Sequence, residues 1–158
     1  MKSKLLFTLF FAMMIFAGTL ANAQKVVKSD EITLDGIKKL MEDAGITVVE
    51  TGKDFVKIKN TFTWLIFNDK DKGYLTFTVT YKSKEGTSYT KASELTNKLN
   101  KEVAMSRFDF DDKSKTFAVS YYFMCEGGFV FANLVKAINL FRDTITLALQ
   151  KDTEMLIL

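Results

Sequence analysis

The stretch that most constrains the fold is residues 74 to 81, YLTFTVTY. Leu75, Phe77, Val79 and Tyr81 fall on one side of it, and Thr76, Thr78 and Thr80 on the other. A period of two marks a strand with one face in a core and one in water. Such a strand belongs in an antiparallel sheet, where hairpins make the connections and one face can stay solvated. The buried face needs a cover, and amphipathic helices elsewhere in the chain must provide it.

The pattern supplies those helices. Leu34, Ile37, Leu40 and Met41 recur at three- and four-residue steps, with Asp35 in the first turn and Gly45 as a stop, which predicts a helix over 33–44. Ile46 to Glu50 and Phe55 to Lys59 are β-branched segments joined at Thr51-Gly52-Lys53, a hairpin signal, and TFTWLIFN at 61–68 predicts a further strand. After the loop SKEGTS, the residues Ala92, Leu95 and Leu99 form a helical stripe ending near Lys101. Two strands follow at about 104–111 and 116–124, turned by Asp111, Asp112, Lys113 and Ser114. In the first of them Phe108 and Phe110 face one way, and Arg107, Asp109 and Asp111 the other.

The last element runs over 129–151, where Leu134, Ile138, Phe141, Ile145 and Leu149 recur at steps of four and three. Phe131, Val135, Leu140 and Leu147 broaden its apolar surface, so it is read either as a wide core-facing helix or as one that also feeds a subunit interface. Residues 24–31 form a polar lead-in without periodicity, and the tail TEMLIL is expected to dock or pair. The chain has no proline, no repeat and no linker, which predicts one domain over 24–158. Its order is helix, three or four strands, helix, two strands, helix. That is an α+β fold, an antiparallel sheet covered by helices.

Residues 1–23 combine Lys2 and Lys4, an apolar run from Leu5 to Ala17 and the small residues Ala21 and Ala23, the three-part pattern of a secretory signal peptide. The apolar run is short of the roughly 20 residues a spanning helix needs, so no membrane span is expected after cleavage. The expected location is the periplasm or the extracellular space. With the leader go two of the 22 basic residues, leaving the rest nearly level with 19 acidic ones. The lysines are scattered among acids with no basic stripe, which argues against nucleic acid as a partner.

Chemistry is limited by the absence of any histidine. Ser-His and Cys-His hydrolase schemes and His-ligated zinc go with it. Cys125, the one cysteine, sits in FMCEGGFVF before the last helix, where a helix N-terminus would lower a thiol pKa. Glu126 beside it acts in the opposite sense, and a small buried hydrophobe is the expectation. Gly127-Gly128 then serves the chain reversal. NDKDKG at 68–73 resembles a calcium loop, but Lys70 and Lys72 would occupy ligand positions, so it is read as a turn. Asp109 and Asp111 share a strand face without a second acidic group to complete a site. Trp64, between Phe62 and Ile66, reads as core, with an exposed aromatic patch as the alternative. No catalytic residue, metal or cofactor is expected.

From the second helix onward, LTNKLNKEVAMSRFDFDDKSKTFAVSYYFMCEGGFVFANLVKAINLF resembles the YbjN family of proposed bacterial sensory transduction regulators. The match lies in Asn97 and Asn100 as an Asn-x-x-Asn pair near a helix end, the strand hairpin with an acidic turn, the Gly127-Gly128 junction and the long closing helix. ITLDGIKKLMEDAGITVVE fits as well, and the likeness covers about 30–150. It implies a fold similar to type III secretion chaperones, which bind polypeptide and often dimerise. Asn97 and Asn100 are expected to fix the helix-to-strand connection or to contact a partner. Secretion chaperones act in the cytoplasm, whereas this chain has an export leader, and that is a departure.

The reading is therefore an exported, non-catalytic domain that binds a protein or peptide in a regulatory or chaperone-like role, with a homodimer as a further expectation. The rivals are a small exported hydrolase using Cys125 or the Asp109/Asp111 face, and an apolar small-molecule carrier.

Overall fold

The structure, a computed structural model, describes residues 25–158; the leader read at 1–23 lies outside the described residues. In chain order the elements are β1 (Val26–Val27), α1 (Leu34–Asp43), β2 (Thr47–Thr51), β3 (Phe55–Asn60), β4 (Phe62–Asp69), β5 (Tyr74–Lys82), α2 (Tyr89–Glu102), β6 (Arg107–Asp111), β7 (Thr116–Met124), β8 (Phe129–Val130) and α3 (Phe131–Lys151). Six strands form one antiparallel sheet in the order β2-β3-β4-β5-β7-β6, while β1 and β8 pair apart from it. The α+β arrangement expected from the sequence is the one observed.

Local chemistry sets the helix starts. Thr33 Oγ1 accepts the Gly36 N–H at 3.0 Å to begin α1, and Ser88 Oγ accepts the Lys91 N–H at 3.3 Å to begin α2. Gly45, with φ 70°, turns the chain out of α1.

One sheet face carries Val56, Ile58, Trp64, Ile66, Leu75, Phe77, Val79, Phe117, Val119 and Phe108, all buried. All three helices lie on this face: α1 against β2 and β3, α2 against β6, and α3 across the middle. Phe141 of α3 packs on Trp64 at 5.0 Å, Phe77 at 6.0 Å and Tyr121 at 6.3 Å between ring centres, joining β4, β5 and β7 through one side chain. Leu140 and Leu147 lie on the outer side of α3, each 39 % exposed.

The described part of the lead-in, residues 25–31, carries more structure than its pattern predicts. Val26 and Val27 pair with Val130 and Phe129, a turn of 3-10 helix follows at Ser29–Glu31, and Asn68 Nδ2 donates to Ile32 O at 3.1 Å. A two-residue strand is too short to show a period. For the same reason α3 begins two residues later than its apolar pattern, because Phe129 and Val130 belong to β8. The β6 strand begins at Arg107 rather than near 104, since Met105 has φ 72° and breaks the extended run. The tail bonds to the end of β5: Lys84 N donates to Leu156 O at 2.8 Å and Leu158 N to Lys82 O at 2.9 Å. The buried Asp152 carboxylate holds it by accepting Ile157 N–H at 2.8 Å.

Candidate functional site

Among the described residues no helix lies over the second face of the sheet. Cross-strand register places its side chains in rows. Phe55, Phe67, Thr76 and Tyr122 form one row, with Tyr74 and Met124 beyond it. Lys57, Leu65, Thr78, Ser120 and Arg107 form the next, and Ala118 and Asp109 lie further along. The face thus grades from an aromatic end to a centre of small hydroxyls, with Lys57 and Lys59 toward one edge and Asp109 and Asp111 toward the other.

At the aromatic end Phe55 and Phe67 meet edge-on at 5.9 Å and Tyr74 and Tyr122 at 5.2 Å. Tyr122 is 46 % and Met124 64 % exposed, while Phe55, Leu65, Phe67 and Tyr74 are half-buried. Asp69 closes this end: Thr76 Oγ1 donates to it at 2.6 Å and Lys72 Nζ at 3.0 Å. The Thr76 hydroxyl, with help from Lys72, holds the Asp69 carboxyl below the usual carboxylate range. A depression of about 230 Å³ opens on the same face, where β4 and β5 part beyond Leu65 and Thr78; Lys57, Thr63 and Thr80 line it.

Cys125 is buried at 2 % exposure, its N–H donates to Gly73 O at 2.9 Å, and burial pushes its thiol pKa up. A thiol so placed is neutral and covered, the reverse of a nucleophile. Asp109 is taken by Arg107, whose Nε lies 2.8 Å from its carboxylate. Asp111 accepts from Ser114 Oγ at 2.8 Å and from Lys113 N at 2.9 Å, and the Ser114 bond lowers its pKa. A general acid needs the opposite shift. Among the described residues no group of three or more acidic or cysteine side chains is placed to hold a metal, and no helix is long and apolar enough to cross a membrane. A larger depression, about 360 Å³, is open to solvent and lined by Ser83, Lys84, Glu85, Gly86, Thr87 and Lys115, unlike the enclosed apolar chamber of a carrier.

The four residues singled out by the family resemblance do not form one site. Asn100 Nδ2 donates to Phe108 O at 2.8 Å and Asn100 Oδ1 accepts Phe108 N–H at 2.9 Å, tying the end of α2 to β6. Asn97, one turn earlier, is exposed, and its side chain makes no hydrogen bond among the described residues. Both border a polar groove of about 270 Å³ between α2 and β6. Gly127 and Gly128 lie at the junction before α3, with φ 74° and 104°. A Cβ on Gly128 would stand 2.5 Å from Val27 O, so this glycine lets the N-terminal strand pass. The aromatic end of the open face was not singled out from sequence. Its signal was present in the even positions of β7 and odd positions of β4, but which sheet face the helices leave bare is a tertiary fact.

No family profile and no curated protein sequence matches the chain. Solved structures do. YbjN from E. coli, a proposed transcription regulator, superposes with TM-score 0.67 at 15% identity, covering 85% of this chain and 99% of its own. An uncharacterised protein from Methanothermobacter thermautotrophicus gives TM-score 0.56 at 12% identity, covering 77% and 97%. A chain of the heterodimeric ExoU–SpcU complex from the Pseudomonas aeruginosa type III secretion system gives 0.53 at 11%, covering 76% and 97%. The fold of this chain is YbjN-like, of the type III secretion chaperone-like kind.

Proposed function

We propose that the chain is an exported, non-catalytic domain that binds a polypeptide partner on the uncovered face of its sheet, in a regulatory or chaperone-like role. The observation that carries this is the bare face itself. Three helices crowd one side, while the other presents Phe55, Phe67, Tyr74, Tyr122 and Met124 together at one end. Aromatic and Met side chains are those enriched at protein interfaces, because they bury large area at low entropic cost. The small hydroxyl centre gives a flat floor for a polypeptide; Lys57 is paired with Glu50 and Asp109 with Arg107, which leaves Lys59 at one margin and Asp111 at the other to orient it. That a chain of similar fold occurs in a complex of two proteins supports the reading at the level of fold.

Export rests on the leader at 1–23, and it places the partner in the periplasm or outside the cell. Mass spectrometry of the protein recovered from envelope and medium fractions tests this: a chain beginning at Gln24 is expected, and a full-length cytoplasmic chain would contradict it. For binding, a random peptide library is panned against residues 24–158 and the selected peptides are mapped by backbone amide chemical shifts. Shifts clustered on Phe55, Phe67, Tyr74 and Tyr122 are expected. Shifts confined to α1, α2 and α3, or no selected peptide, would contradict the assignment.

A further inference from the structure

An open sheet carries two outer strands, and each is a template on which another strand can pair. Here they are β2 and β6. Along an antiparallel strand the peptide groups of alternate residues point to opposite sides. Phe108 turns both its N–H and its C=O outward, since Asn100 takes both, at 2.9 Å and 2.8 Å. Phe110 therefore turns outward too, and its N–H and C=O have no partner among the described residues.

We infer that Asn100 closes the β6 edge. Its primary amide offers one donor and one acceptor to a single residue, as the peptide groups of a neighbouring strand would, so it stands where a seventh strand would begin. The segment RFDFD makes such closure necessary. Paired antiparallel with a second copy of itself through Phe108 and Phe110, it sets Arg107 opposite Asp111 twice over, a charge-complementary pairing. Only Asp109 would meet its own copy, and its charge is already held by Arg107. The β2 edge is blunted differently, by a bulge between Val48 and Glu50 that breaks its register. Asn100 is thus a positioning residue that decides whether copies of this chain associate edge to edge. This goes beyond the proposed function and does not rest on it.

The test compares Asn100→Leu, which keeps bulk and removes the amide, with Asn97→Leu, which adds the same bulk one turn away on an amide that holds nothing. Association is read by sedimentation over a range of concentrations, and edge pairing by amide hydrogen exchange at Phe108 and Phe110. In the unsubstituted protein the Phe108 amide is expected to exchange about tenfold or more slowly than that of Phe110. Asn100→Leu is expected to gain a concentration-dependent larger species in which the Phe110 amide becomes protected, while Asn97→Leu sediments like the unsubstituted chain. Should Asn100→Leu not fold, Asn100→Ser is read in the same way. Sedimentation of the folded Asn100 variant identical to that of the unsubstituted protein, or equal association by Asn97→Leu, would overturn the inference.

Discussion

Gly127 and Gly128 stand side by side with positive φ, yet a methyl group on each would meet different surroundings. At Gly127 nothing lies within 4 Å, so Gly127→Ala bears only the left-handed backbone penalty, about 1–2 kcal/mol. At Gly128 the added carbon would meet Val27 O at 2.5 Å, so Gly128→Ala also displaces β1 and should cost about 2–4 kcal/mol. Urea denaturation of the two variants checks the order, and equal midpoints would contradict it. Asp69 gives a prediction in pH. Its folded-state pKa lies below that of the unfolded chain, so the ionised carboxylate stabilises the fold above about pH 4, and this contribution disappears as pH falls through the lowered value. Asp69→Asn should therefore cost below about 1 kcal/mol at neutral pH and flatten the loss of stability as the pH falls below about 4. A variant with an unchanged acid limb would show that the Thr76 and Lys72 bonds contribute nothing.

Among the elements, α3 contributes most to the core through its centre. Phe141 bridges three strands at 0% exposure, so Phe141→Ala should cost about 3–5 kcal/mol, the range for emptying an aromatic site in a core. Leu140→Ser, on the outer side of the same helix, should stay within about 0.5 kcal/mol of the unsubstituted chain. Thermal unfolding of the pair tests whether α3 is a core helix with a wetted outer side. The elements legible in the sequence are the long periodic ones: α1, α3, β5 and β7 follow from the pattern to within two residues, and α2 from a stripe that places its end but not its start. What was not legible is set by contacts distant in sequence. Val26–Val27 become a strand only because Phe129–Val130 lie beside them, and β6 starts late because Met105 takes a left-handed turn. Asn100 could be marked from the sequence, but its two bonds to Phe108 depend on where α2 meets the sheet edge. Asn97, marked with it, turned out to face solvent.

In the whole molecule, the helices divide the sheet into one covered face and one open face. Helices on one face make the core; the other face keeps five large side chains at its surface, while Cys125 is covered and Asp109 and Asp111 are held by Arg107 and Ser114. The α+β class followed from one alternating strand, but the bare face did not, because period two says only that a strand has two unlike sides. The most direct measurement is site-specific photo-cross-linking in the native cell, with a photoreactive residue in place of Tyr122 on the open face and, separately, of Leu147 on the outer side of α3. Discrete adducts with another polypeptide are expected from position 122 and none from position 147. Adducts from 147 alone, or a silent position 122 in a folded and exported chain, would contradict this.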